Sequence, residues 1–204
     1  MDLLIILIQS FWIITPAYIA NASALLTGGG RPIDGGKTWK DGRRILGDGK
    51  TWQGLIIGTL IGMTGGFALS TAAPIINSFL IDNDFSQLSI TNFEGFPFMI
   101  PLVFSISTGA LLGDSVESFL KRRANIQRGE DWIPFDQLDF IIGVLVSSFL
   151  MSSILSLANL TKTNWFTANL TLEHIIFLLI VSPFIHILSN LINKKIRKRQ
   201  ATKA

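Results

Sequence analysis

The sequence predicts an all-α integral membrane protein with five transmembrane helices, the N-terminus outside and the C-terminus in the cytoplasm, and two cytoplasmic loops forming a site. Three observations predict it. Five apolar segments, about Leu3–Leu26, Gly54–Ile81, Phe96–Leu112, Leu138–Leu160 and Leu172–Ile192, each approach the length a helix needs to cross hydrocarbon, roughly 20 residues. Charged residues, only 15% of the chain, gather between those segments. Sixteen of the 17 Lys and Arg fall in the first connection, the third connection and the tail, and only Lys162 lies elsewhere. Basic connections stay in the cytoplasm, which fixes the predicted orientation. The whole chain, 1–204, reads as one membrane-embedded domain, with cytoplasmic loops at about 27–53 and 114–137.

Composition removes several chemistries. A chain without cysteine has no disulfide, thiolate metal site or Cys nucleophile. Its two histidines, His174 and His186, are too few for a His-rich zinc site and read as packing or interface residues. A net charge of +3 does not by itself point to nucleic acid.

The first segment lacks a basic leader and reads as a retained span, not a cleaved signal. It carries Thr15, Pro16 and Asn21 as polar or kinking positions toward its cytoplasmic end. Gly58, Gly62, Gly65 and Gly66 give the second segment a small-residue face for close helix contact. Pro97 and Pro101 mark the start of the short third segment. Trp12, Trp132 and Trp165 fall near the predicted interfaces, where indoles form a belt. Asn159-Leu160-Thr161 and Asn169-Leu170-Thr171 match the glycosylation sequon on the predicted outer side.

The first cytoplasmic loop is rich in glycine and alternates acidic with basic residues. Glycines let a backbone approach closely, and free N–H groups beside Lys and Arg make a cradle for phosphate oxygens. Gly49-Lys50-Thr51 has the ending of a nucleotide-binding P-loop, but Arg44 stands where that motif needs glycine and no strand precedes it, so only phosphate binding is retained. Within the loop, Gly-Lys-Thr-Trp occurs at 36–39 and again at 49–52.

In the third connection Asp114, Ser118, Lys121 and Arg122 stand at i, i+4, i+7 and i+8, one face of a helix if the helix continues. Asp136 and Asp139 open the fourth segment, three residues apart. Carboxylates that stay ionised near hydrocarbon need partners, and this oxygen donor set points to a divalent metal such as Mg2+ bound by Asp114, Asp136 and Asp139.

These residues carry a resemblance. Gly113-Asp114, then Ser118-x-x-Lys121-Arg122, then Asp136-x-x-Asp139 is similar to the signature of the membrane CDP-alcohol-forming cytidylyltransferases. The first loop, with Pro32-Ile33-Asp34-Gly35-Gly36 and the run 41–54 after Pro16 and Asn21, resembles the archaeal CDP-archaeol synthase family more narrowly. The resemblance covers the full chain. It implies transfer of CMP from CTP to 2,3-di-O-geranylgeranylglyceryl phosphate, an isoprenoid ether-lipid phosphate, with one or two Mg2+ ions. It makes Asp114, Asp136, Asp139 and Lys121 catalytic, the three aspartates also metal ligands. It further implies that Ser118 and Arg122 contact phosphate and that Asn21, Asp34, Lys37, Asp41, Arg43, Arg44, Asp48 and Lys50 bind substrate. The His-Gly-Gly element of the bacterial phosphatidate enzymes is replaced here by Trp132-Ile133-Pro134-Phe135, which favours the archaeal branch. The alternatives are the same transfer to ester lipids and, from another class, a small transporter. A transporter predicts acids spread through mid-membrane and an inverted repeat, and the sequence has neither.

Overall fold

Side-chain caps and charged end turns mark several of the helix ends. A computed structural model describes residues 2–127, 130 and 132–184. Asp2 caps α1 (Leu3–Thr27), its carboxylate accepting the Leu4 N–H at 3.0 Å. Thr51 caps α2 (Trp52–Asp82) by accepting the Gly54 N–H at 3.1 Å. Lys121, Arg122 and Arg123 fill the last turn of α3 (Met99–Arg123), where cations suit the exposed carbonyls and the helix dipole. Pro134 precedes α4 (Phe135–Leu157) and Asp136 sits in its first turn. Asn164 caps the five-residue α5 (Trp165–Asn169), and a further apolar helix, α6, covers Leu172–Phe184.

The four helices α1 to α4 are long and apolar enough to cross a membrane, and the described residues contain isolated bridges but no strand. The all-helical membrane architecture expected from the sequence is met. The far end of the fifth apolar segment, Arg128, His186 and the basic tail from Lys194 to Lys203 lie outside the described residues.

The bundle core comes from α1 (Ile13, Ile14, Ala17), α3 (Leu102, Val103, Ile106, Ala110) and α4 (Phe140, Ile141, Val144), closed at one end by Phe93 stacked on the buried Trp165. Trp165 is therefore a core residue and not part of an interfacial belt. Trp12 does sit at that end, donating its indole N–H to the Thr91 carbonyl at 2.9 Å. His174 is buried there as well, held between Gln9 and Thr171 at 3.0 and 2.8 Å.

Hydrocarbon supplies no hydrophobic force between helices, so close packing decides which faces meet. A Cβ on Gly58 would stand 2.8 Å from Ala24 Cβ, and one on Gly62 2.8 Å from Pro16 O and from Ser107 Oγ. The glycine face of α2 thus docks on α1 and α3, as its sequence predicts. A tighter crossing joins α3 to α4. Side chains on Gly109 and Gly113 would collide with α4, where a Cβ on Gly109 meets Gly143 O at 2.7 Å and one on Gly113 meets Gly143 Cα at 3.1 Å. Ser147 reinforces the crossing by donating to the Ser105 carbonyl at 2.8 Å.

Candidate active site

The α3–α4 crossing has a chemical consequence. Gly113 lies against the backbone of Asp139, so the next residue, Asp114, comes alongside that carboxylate. One turn further along α3, Glu117 joins them. Single oxygens of Asp114, Glu117 and Asp139 all lie within 4.8 Å of one another. Glu117 is buried and stands three residues after Asp114 on the continued helix. Glu117 is not among the residues expected from the sequence, where its i, i+3 spacing from Asp114 is the only signal for it. Asp136 takes a different position. It pairs with Lys121 at 2.7 Å and accepts the Trp132 N–H at 2.9 Å. Lys121 also reaches Glu117 at 2.9 Å and donates to the Glu130 carbonyl at 3.1 Å, so it ties the start of α4 to the acid cluster.

The loop of residues 28–51 folds over this end of the bundle. Asp34 is its hub, and its carboxylate accepts five hydrogen bonds: two from Arg44 and one each from the N–H groups of Gly36, Leu46 and Gly47. Burial alone would raise the Asp34 carboxyl, but Arg44 and those N–H groups outweigh it and hold it well below the usual carboxylate range. Arg44 makes a second pair with Asp48 at 2.8 Å. Lys50 pairs with Asp114 and joins the loop directly to the acid cluster. The two Gly-Lys-Thr-Trp copies do different work: Thr38 bridges to Arg44 across a turn, whereas Thr51 caps α2.

Between loop and helix lies a cleft of about 460 Å³. Arg43, Arg44, Asp48 and Lys50 line it from the loop, and Asp114, Glu117, Ser118, Lys121 and Arg122 from α3. Arg122 brings a buried Nε without a hydrogen-bond partner. Asn21 lies next door, in a small pocket of about 100 Å³ that shares Lys50 and Asp114 with the cleft. Asp34 and Asp41 brace the loop instead of facing the cleft, Asp41 through Arg123 at 2.8 Å. Lys37 is exposed and does not line the cleft. On the other side of the cluster an apolar groove of about 530 Å³ runs along α3 and α4, bordered by Leu112, Val116, Ile142 and Val146. Glu117 and Asp139 form its polar end.

Membrane helices that enclose three carboxylates between a charged cleft and an apolar groove define an intramembrane enzyme. The family model described as "CarS-like: CDP-archaeol synthase" matches residues 3–201. A CDP-archaeol synthase of Thermococcus kodakarensis is 45% identical over 177 residues, 87% of this chain and 85% of that protein. The CDP-archaeol synthase of Methanocaldococcus jannaschii is 38% identical over 192 residues, 94% of each chain. A solved structure described as "an intramembrane enzyme for archaeal membrane lipids biosynthesis" superimposes with a TM-score of 0.65 at 28% identity, covering 90% of this chain and 94% of that one. This chain belongs to the CDP-archaeol synthase family.

Proposed function

We propose that the chain transfers CMP from CTP to 2,3-di-O-geranylgeranylglyceryl phosphate, giving CDP-archaeol and pyrophosphate. One observation carries the reading: Glu117 borders both the charged cleft and the apolar groove. A water-soluble triphosphate and a lipid phosphate therefore reach the same carboxylates from opposite sides. The basic loop and the basic last turn of α3 share that end, which supports a cytoplasmic orientation. The apolar run continuing from Leu172 to Ile192 supports a fifth span.

The donor set fits a hard divalent cation. Asp114, Glu117 and Asp139 offer only oxygen and would hold Mg2+, one ion or two. Bound there, Mg2+ supplies charge neutralisation at the phosphate oxygens and acts as a Lewis acid on the phosphoryl group. The chain's own residues do the positioning. Arg122, Ser118 and Lys50 present donors to the triphosphate along the cleft. An oxygen of the lipid phosphate attacks the α-phosphorus, a new P–O bond forms, and the bond to the β-phosphate oxygen breaks to release pyrophosphate. A phosphomonoester is largely dianionic near neutrality, its second pKa being about 6, so the attack needs no strong base. His174, at the opposite end of the bundle, is not required. The apolar walls of the groove keep water from competing for the phosphoryl group.

Purified protein incubated with CTP, Mg2+ and the ether-lipid phosphate tests this directly. The expected result is one pyrophosphate per CDP-lipid, with ATP and GTP poor substitutes and ester phosphatidate a weaker acceptor. No pyrophosphate release with CTP, or equal turnover with every nucleotide, overturns it.

A further inference from the structure

We infer that Arg43 and Arg123 form a clasp that positions the nucleotide-binding loop, so that Arg43 supports the site through α3 and not by contacting phosphate. The inference rests on the cytidylyltransferase reading for its substrate and on geometry for everything else. Arg43 Nη1 donates to the carbonyl oxygens of Arg123 at 2.7 Å and Arg122 at 3.4 Å. These belong to the last turn of α3, where carbonyls have no donor from within the helix; the Arg122 carbonyl also accepts the Asn125 N–H at 3.3 Å. The contact is reciprocated: Arg123 Nη2 donates to the carbonyls of Arg44 at 2.6 Å and Arg43 at 3.4 Å.

Asp41 gives Arg123 its counterion and fixes the backbone of Arg43. Its Oδ2 pairs with Arg123 Nε at 2.8 Å while its Oδ1 accepts the Arg43 N–H at 3.1 Å. The guanidinium of Arg123 also lies over the Phe119 ring, 4.8 Å from its centroid, and Trp39 meets the same ring edge-on at 5.5 Å.

The clasp holds one end of the loop segment that walls the cleft, and the Lys50–Asp114 pair holds the other. Residues 44–50 are thereby kept at a fixed width from Asp114–Arg122. A glycine-rich loop left free has to be ordered each time nucleotide binds, and that lost entropy comes out of ground-state affinity. A positioning role of this kind appears in KM for CTP and leaves kcat almost alone.

Arg43→Ala and Arg123→Ala should each raise KM for CTP about tenfold or more, the range for losing charge-assisted hydrogen bonds, while kcat stays within about threefold. KM for the lipid phosphate should not move. Because the two arginines act as one unit, the double variant should resemble either single variant and not their product. Arg123→Lys should restore part of the affinity, since it keeps the charge but not the planar fork. Lys40→Ala removes the same charge from an exposed position of the loop and should leave KM unchanged. Trypsin should cut at Lys37 and Lys40 faster in both clasp variants. Unchanged KM, multiplicative effects in the double variant, or a collapse of kcat at constant KM overturns the clasp. Should the wild type make no CDP-lipid, the enzymatic reading fails by itself, and the proteolysis comparison still decides the clasp: equal cutting overturns it. Asp41→Asn, which keeps both arginines, replaces any variant that does not fold, with the same expectation.

Discussion

Gly113→Ala adds one carbon within the tight α3–α4 crossing, beside the acid cluster. The added Cβ would stand 3.1 Å from Gly143 Cα and closer still to the Asp139 carbonyl oxygen. Carbon–carbon contacts settle at about 3.5–4.0 Å, so α3 and α4 must part by at least roughly 0.5 Å. Neither obstacle is a flexible side chain, and overpacking of this kind costs roughly 1–3 kcal/mol. The same displacement carries Asp114 away from Asp139. A misplacement of about 1 Å at a reacting centre lowers rate by on the order of 100-fold, so kcat should fall by about 10- to 100-fold. Gly65→Ala is the control, because its Cβ meets only the movable tip of Ile19. The assay is CDP-lipid formation by detergent-purified protein matched for folded fraction by size-exclusion chromatography. Wild-type kcat in Gly113→Ala would show that the crossing does not set the carboxylate geometry.

Three further outcomes follow from the same geometry. Lys121→Met leaves the buried Glu117 and the partly buried Asp136 facing each other without their shared cation, at a cost of roughly 1–3 kcal/mol; thermal unfolding should occur at lower temperature, with turnover lost, and unchanged stability with unchanged turnover would mean that Lys121 does not tie α4 to the acid cluster. The Asp34 carboxyl is held below its unfolded value, so its contribution is present above the unfolded carboxylate range near pH 4 and is lost as pH falls through the lower folded value. Asp34→Asn should imitate that loss at neutral pH, loosening the loop by about 1–3 kcal/mol, read as faster tryptic cleavage at Lys37; equal cleavage rates contradict the hub role. Val146→Trp narrows the apolar groove and should raise KM for the lipid phosphate severalfold while KM for CTP holds, whereas parallel changes in both would mean a general distortion.

Much of the fold was legible because hydropathy writes itself along the chain. The four spanning helices fall on the first four apolar segments within a few residues, apart from the extended end of α3. That helix runs on to Arg123, beyond an apolar segment ending at Leu112. Its continuation is charged, and hydropathy does not register an amphipathic turn. Glu117 stands beside Asp114 on that same continued helix, but its neighbours in sequence, Ser118 and Lys121, match a nucleotide-handling motif and Glu117 does not. Asp136 and Asp139 share one turn of α4, yet Asp136 pairs with Lys121 while Asp139 joins Asp114 and Glu117, a division set by what α3 presents to each and not by their spacing. The Gly109-x-x-x-Gly113 spacing on α3 is a signal for the crossing, weaker in the sequence than the richer glycine run of α2. Pairings such as Arg43 with the carbonyl of Arg123 join positions 80 residues apart, and composition carries no trace of them.

The proposed chemistry requires Asp114, Glu117 and Asp139 to hold a divalent cation that the triphosphate then shares. Electron paramagnetic resonance of Mn2+ titrated into purified protein, with and without CTP, measures that directly. Wild type should show a bound-ion population that CTP tightens and that Asp114→Asn and Asp139→Asn each abolish, with Asp136→Asn weaker in effect. Wild-type Mn2+ binding in both of the first two variants would contradict it.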